Sequence, residues 1–145
     1  MTASRSITSR QIVVGKLSYG CDLLEELTDE CIKHNVKLGR VEAIGAVQKA
    51  RIGFYNQETR AYQFSTLDRP FEITNLIGNV SLKDGNPFVH AHVTLAGETG
   101  ESCGGHLAPG TVVFACEFFI EAFDGPIFNR NPDEETGLPL WSLRD

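Results

Sequence analysis

The most informative stretch of this chain is Phe88-Val89-His90-Ala91-His92-Val93-Thr94, in which polar and apolar residues alternate. In a β-strand, residues two apart point to the same face of the sheet. His90 and His92 are therefore predicted to project side by side from one face, while the apolar residues between them pack into a core from the other. The segment predicts a half-buried strand that carries two imidazoles.

A third histidine follows in Cys103-Gly104-Gly105-His106-Leu107. We expect a glycine turn to bring His106 back beside His90 and His92. Three imidazoles with a fourth position open are typical of a zinc site that accepts water or a substrate oxygen, and another divalent metal could use the same ligands. The alternatives are that the three histidines are unrelated polar residues, or that Cys103 adds a thiolate ligand.

Length and composition describe an ordinary soluble protein with one domain. The chain has 145 residues, of which 41% are hydrophobic and 22% charged. Its net charge of −6 and the lack of a Lys/Arg run argue against DNA binding through the overall field. With no apolar leader, no membrane-length segment and no CxxC cysteine pair, we expect a cytoplasmic protein that does not enter a membrane.

The remaining pattern predicts one helix and several strands. The helix is expected over residues 22–34, with Asp22 as N-cap, an apolar stripe through Leu23, Leu27 and Cys31, and Asn35 in the left-handed turn that ends it. His34, the fourth histidine, belongs to the last turn and to the surface. Strands are expected over 10–17, 41–47, 50–55, 60–66, 71–82 (with a bulge or bend at Gly78) and 112–123.

The sequence predicts a single domain over residues 1–145, with a core of about 8–125 and a C-terminal tail of 126–145. The strand at 112–123 is nearly all apolar, so it is expected to be central and covered on both faces. The tail contains three prolines and no periodicity, and we expect it to wrap over the surface.

Two charged residues are further candidates for a site. Glu117 lies inside the apolar run, where a carboxylate is costly to bury unless it is paired, hydrogen-bonded or near a metal. It is therefore a candidate catalytic acid or base beside the metal, and the alternative is a structural ion pair or a solvent-facing carboxylate. Arg51 could bind an anionic ligand, although a solvated strand position is the simpler interpretation.

Taken together and in order, several segments resemble the plant- and prokaryote-conserved (PPC) domain in its stand-alone prokaryotic form. They are Val41–Val47, Pro70–Ile73, His90–Leu95, Gly104–Leu107 and Thr136–Leu138. The resemblance implies an α/β (α+β) fold with an antiparallel-rich sheet flanked by helices, a homotrimer, and metal ligands at His90, His92 and His106. The Arg-Gly-Arg hook of the plant members is missing, so DNA binding by this chain alone is not expected.

The implied fold is also similar to that of alpha-acetolactate decarboxylase, a zinc enzyme with a three-histidine site. Three functions therefore compete at this point. The first is a metal-binding homotrimer with a small-molecule or regulatory role, whose metal could bind a small anion. The second is a zinc enzyme acting on a small anionic oxo-acid, with Glu117 as the proton-transfer candidate. The third is a DNA-associated regulatory protein.

Overall fold

This computed structural model describes residues 2–143. In that range, the segments of alternating polarity form nine strands of one sheet, and a single α-helix packs against it. The elements are, in order, β1 (Thr8–Leu17), α1 (Leu23–Lys33), β2 (Gly39–Asn56), β3 (Ala61–Leu67), β4 (Phe71–Lys83), β5 (Asn86–Ala96), β6 (Ser102–Leu107), β7 (Val112–Asp124), β8 (Asn129–Pro132) and β9 (Pro139–Ser142). The antiparallel-rich α+β prediction is confirmed, but one helix, rather than several, is present in the described residues.

Strand β2 organises the sheet because it pairs with four other strands. The sheet order is β1-β7-β2-β6-β5-β4-β8-β9, while β3 pairs with β2 outside this path and β2 also pairs with β4. Two strands were expected over 41–47 and 50–55, whereas one strand of 18 residues runs through both. Register shifts at Ala43/Gly45 and between Ala46 and Lys49 bend it, which lets its two halves serve different neighbours.

The helix covers one face of the sheet as its sequence predicts. Leu23, Leu27 and Cys31 are fully buried. Asp22 caps the helix by accepting hydrogen bonds from the amides of Leu24 and Glu25, at 3.0 and 3.1 Å. The chain leaves the helix at Asn35, whose φ of 52° is the left-handed conformation expected there.

Strand β7 lies inside the sheet, paired with β1 on one side and β2 on the other, but it is not covered on both faces. Its inward residues, such as Val113 and Ile120, are fully buried, while Phe114 and Phe119 are 58% and 57% exposed. The prediction of two covered faces is therefore wrong for this single chain. A run of apolar residues does not show which face packs on the core, since an exposed apolar face gives the same pattern.

The two glycines before His106 lie inside β6 and do not form a turn. The chain reverses earlier, where the Gly100 amide donates to the Gly97 carbonyl at 3.0 Å. A Cβ on Gly104 would stand 2.3 Å from the carbonyl oxygen of Val93, and one on Gly105 would stand 2.7 Å from that of Gly53. The glycines are therefore required because β6 fits closely between β5 and β2.

Gly78 also serves close packing and is not a bulge. It pairs in register with Ala91 of β5, and the irregularity of β4 lies between Ile73 and Asn75. A Cβ at Gly78 would stand 2.5 Å from the His90 carbonyl oxygen.

The tail is more ordered than its prolines suggest. Strands β8 and β9 form an antiparallel pair, and Asn129 of β8 joins Leu82 at the edge of β4. The last two residues of the predicted tail, 144 and 145, lie outside the described part of the chain. The helix in residues 2–143 lacks the length and apolar character needed to cross a membrane.

Replacing Gly104 with alanine is expected to lower the free energy of unfolding by about 3 kcal/mol, because the new methyl group meets a backbone oxygen that cannot move freely. Gly100→Ala is the matched control, since nothing lies within 4 Å of a Cβ there and only its positive φ of 82° is strained, at about 1 kcal/mol. Urea unfolding measures both. Equal losses in the two variants would contradict the close fit of β6.

Candidate metal centre and its pocket

The register of β5 and β6 brings three imidazoles together on the sheet face opposite the helix. His92 is paired directly with His106, and His90 lies two residues before His92 on the same face. The ring centroids are 5.1 to 5.7 Å apart. One ligand nitrogen from each ring lies within 4.8 Å of the other two, so the donors converge on a common point.

The three rings are suited in number and chemistry to one divalent metal. Ligand nitrogens around tetrahedral zinc, at 2.0–2.1 Å from the ion, are roughly 3.4 Å apart, which small side-chain rotations would reach from this arrangement. The Nδ1 atom of His106 is buried without a hydrogen-bond partner. An unpaired buried nitrogen is costly, and a metal coordinated by Nδ1 of His106 would satisfy that atom.

Burial keeps His90 and His106 neutral, which is the form that binds a metal. Desolvation is the main cause that lowers the pKa of His90 to about 4, with the charge of Arg130 as the next cause. Desolvation also lowers the pKa of His106 to about 4, followed by the effects of His92 and Arg130. Both rings are therefore unprotonated at neutral pH and offer a lone pair.

Arg130, which sequence reasoning did not identify, lies beside the histidines. It is only 8% exposed, and its guanidinium donates to Ser81 Oγ at 2.9 Å, Asn79 Oδ1 at 2.7 Å and the Pro139 carbonyl at 2.9 Å. Asn79 is the cross-strand partner of His90. No local signal could have revealed this position, because Arg130 belongs to a tail without periodicity and reaches the site through the β4–β8 contact.

His90 and His106 line a pocket of about 340 Å³. Its walls combine aromatic, cationic and aliphatic side chains, namely Tyr62, Lys83, Phe88, His90, His106, Arg130, Leu138, Pro139 and Leu140. The Tyr62 ring packs on the His106 ring with centroids 4.7 Å apart. Within the described residues, the lining includes no carboxylate, so the pocket is cationic and partly apolar.

The tail closes one side of this pocket and is tied to the β2–β3 hairpin. Tyr55 Oη donates to the Thr136 carbonyl at 2.7 Å, and Arg60 Nη1 donates to the Glu134 carbonyl at 3.1 Å. The Arg130 contact with Pro139 holds the tail from the other side. The turn between β8 and β9 is therefore anchored beside the pocket, and residues 138–140 that follow it line the pocket.

Residues 4–124 match the Plants and Prokaryotes Conserved (PCC) domain. The chain belongs to this family. The sequence-based recognition of a PPC domain is thereby confirmed, and the tail that supplies Arg130 lies beyond the matched residues.

Solved structures of similar proteins share this fold over nearly the whole chain. A metal-containing protein from Archaeoglobus fulgidus is 40% identical, with a TM-score of 0.93 over 97% of this chain and 99% of its own. A plant- and prokaryote-conserved protein from Pyrococcus horikoshii is 34% identical, with a TM-score of 0.91 over 97% of each chain. A proposed DNA-binding protein from Ralstonia eutropha JMP134 is 26% identical, with a TM-score of 0.81 over 90% of each chain.

Curated relatives place a similar domain inside a larger protein. The bifunctional protein GlmU of Synechococcus sp. strain JA-2-3B'a(2-13) is 32% identical over 125 residues, which is 84% of this chain. That match is 18% of the relative's length, so the chain spans less than a fifth of the curated relatives it matches.

Two other predicted ligand or catalytic residues of this PCC domain do not join the histidines. Glu117 is exposed on β7, where it pairs with Lys16 and with Ile44 of β2. His106 instead pairs with Gly53, which lies further along β2 than Ile44 by up to ~30 Å of extended strand. Cys103 is three residues before His106, and its side chain packs against the core from the opposite face.

Two more residues considered from the sequence have local structural contacts. The Arg51 guanidinium lies 4.2 Å from the centroid of the Phe64 ring, and its Nη1 donates to the Pro109 carbonyl at 3.3 Å. His34 is in the last turn of the helix region, 3.4 Å from the Glu30 carboxylate. The latter position agrees with the predicted surface histidine.

Tyr55→Phe is expected to loosen the tail over the pocket, because it removes the hydroxyl that donates to the Thr136 carbonyl. The loss of one partly exposed hydrogen bond, about 0.5–1 kcal/mol, corresponds to roughly two- to fivefold faster amide hydrogen exchange at 133–138. Tyr19→Phe is the control, since that hydroxyl contacts Gln48 instead. Unchanged exchange in Tyr55→Phe would show that the hydroxyl does not hold the tail.

Proposed function

We propose that this protein is a metal-binding PCC-domain protein in which His90, His92 and His106 hold one zinc ion and leave a coordination position for a small anionic ligand. The observation that carries this proposal is the convergence of three imidazole nitrogens within 4.8 Å of one another. Three neutral imidazoles leave the double charge of zinc uncompensated, so an anion is favoured at the open position.

The donor set and the relatives support the metal in different ways. Imidazole nitrogen suits zinc, copper, iron and nickel, and three such ligands with an open site are common for zinc. The Archaeoglobus fulgidus protein, at 40% identity, is named as metal-containing. We extend that property to this chain because its own three histidines converge.

A binding role is favoured over an enzymatic one. Glu117, the proposed proton-transfer group, lies on β7 away from the histidines, and the pocket lining contains no carboxylate among the described residues. A zinc enzyme acting on an oxo-acid would therefore need another group to move protons. Besides the histidines, Tyr62 is the other neutral titratable side chain in the described lining, and its ring packs on that of His106. The similarity to alpha-acetolactate decarboxylase stays a prediction.

DNA association is the third candidate, and the charge of this chain argues against it. The Ralstonia eutropha relative is named as a proposed DNA-binding protein. This chain has a net charge of −6 and no Arg-Gly-Arg hook. Since phosphate binding depends on clustered cations, we propose a cytoplasmic ligand-binding role without DNA contact by this chain alone.

We further propose that the protein is a homotrimer, as its family resemblance implies. The face of β1, β7 and β2 away from the helix carries Val14, Phe119 and Ile44, which are 63%, 57% and 59% exposed. Val14 pairs with Phe119, which makes these side chains neighbours. Exposed apolar side chains of this kind, here interspersed with Arg40, Glu42 and Glu121, support an interface between subunits.

Purified protein loaded with zinc and then desalted is expected to retain one ion per chain. His90→Ala, His92→Ala and His106→Ala should each weaken zinc binding by ~100-fold or more, because two imidazoles hold the ion less tightly than three. His34→Ala is the matched control and should bind like the wild type, since His34 lies on the helix beside Glu30. Elemental analysis and calorimetric titration provide the measurements. Full zinc binding by His92→Ala would contradict the assignment.

Light scattering of the protein at micromolar concentration is expected to give three times the 15.9 kDa chain mass. Phe119→Asp should dissociate the assembly by placing a charge in the apolar face. Ile32→Asp is the control, because Ile32 is similarly exposed, at 53%, but lies on the helix. A monomer mass for the wild type would rule out the trimer, and an unaffected Phe119→Asp would place the interface elsewhere.

A further inference from the structure

Arg130 is a buried cation that has no counter-charge among residues 2–143. Its three hydrogen bonds go to the neutral acceptors of Ser81, Asn79 and Pro139. Within residues 2–143, no carboxylate lies at ion-pair distance from it. A charge that is 92% buried costs free energy unless an opposite charge joins it, so this position favours binding of an anion.

The guanidinium has further N–H donors that could bind such an anion. Arginine carries five N–H donors, and the three hydrogen bonds leave two of them. Two donors on a flat, rigid group match the two oxygens of a carboxylate. Arg130 lines the pocket that also contains His90 and His106, so an anion bound there lies within the same cavity as the histidines.

A second cation and an apolar wall define the rest of the ligand. Lys83 Nζ and the Arg130 guanidinium carbon lie 5.2 and 5.3 Å from the centroid of the same Phe88 ring. Tyr62 and the tail residues 138–140 add aromatic and aliphatic surface. A volume of about 340 Å³ fits a small molecule and excludes a polymer.

We propose that this pocket binds a small organic carboxylate, with Arg130 as the residue that recognises its carboxyl group. Lys83 adds positive charge at the rim, and the apolar part of the ligand lies against Phe88 and residues 138–140. This assignment rests on the proposed zinc site, because His90 and His106 line the same pocket as Arg130. Phosphate is disfavoured because the largely apolar walls offer few further donors for its additional oxygens.

Arg130 lies beyond residues 4–124, which match the family. The family match ends at residue 124, whereas Arg130 and the covering residues Leu138, Pro139 and Leu140 follow it. The histidines, Lys83 and Phe88 therefore belong to the family segment, whereas the carboxylate-recognising Arg130 comes from the C-terminal tail.

Calorimetric titration of the zinc-loaded protein tests this assignment with three probes: 2-oxobutyrate, the neutral 2-oxobutyramide and inorganic phosphate. We expect 2-oxobutyrate to bind roughly tenfold or more tightly than either of the others. Arg130→Gln should weaken 2-oxobutyrate binding by roughly tenfold or more while zinc stoichiometry stays at the wild-type value. Lys83→Met should weaken it by about threefold, since its ammonium is exposed to solvent.

Lys33→Met is the matched control for Lys83→Met, because it removes the same charge from the helix surface, where Lys33 pairs with Glu30. Should Arg130→Gln fail to fold, Arg130→Lys keeps the charge but loses the two-donor geometry, and it is expected to bind the acid more weakly than the wild type. The comparison of acid with amide needs no variant at all.

Equal affinity for the acid and the amide, tighter binding of phosphate, or wild-type affinity in Arg130→Gln would each overturn the assignment. These outcomes would leave the zinc site standing, because zinc content is measured separately in every sample. A wild-type protein that binds no zinc would instead contradict the proposed function itself. The two failures are therefore distinguishable.

Discussion

The pairing of β5 with β6 is the constraint on which both the core and the candidate site depend. This register sets His92 opposite His106 on one face and sends Leu95 and Leu107 into the core from the other. A shift of one residue would exchange the two faces of a strand and destroy both arrangements. Glycine at 104 and 105 makes the register accessible, because β6 is too close to β5 and β2 to carry side chains there. Core packing therefore specifies the imidazole geometry.

The charges around the histidines restrict the class of ligand that the pocket could bind more than the fold does. Burial keeps His90 and His106 neutral, and Arg130 and Lys83 add positive charge to a pocket without a carboxylate in its described lining. A divalent cation at the histidines would raise this positive charge further. We therefore propose that the pocket binds an anion, and Glu117, the predicted proton-transfer residue, lies on another part of the sheet.

Local patterns in the sequence were sufficient for the elements that carry their own signals. The His-x-His alternation predicted the strand, and Asp22, the apolar stripe and Asn35 predicted the helix and both of its ends. Features set by contacts between distant segments could not be predicted. The continuity of β2, the open face of β7 and the place of Glu117 depend on which strands become neighbours. Arg130 reaches the site only through the contact of β8 with β4, for which the tail has no periodic signal.

X-ray absorption at the zinc edge of the loaded protein tests the central claim most directly, because it reports the atoms bound to the ion without requiring a known ligand. The account predicts three imidazole nitrogens at ~2.0–2.1 Å and one further oxygen or nitrogen, with a spectrum that changes when 2-oxobutyrate is added. A sulfur atom at ~2.3 Å would show that a cysteine such as Cys103 completes the shell. A fourth protein ligand and a spectrum indifferent to carboxylate would contradict an open, anion-binding metal site.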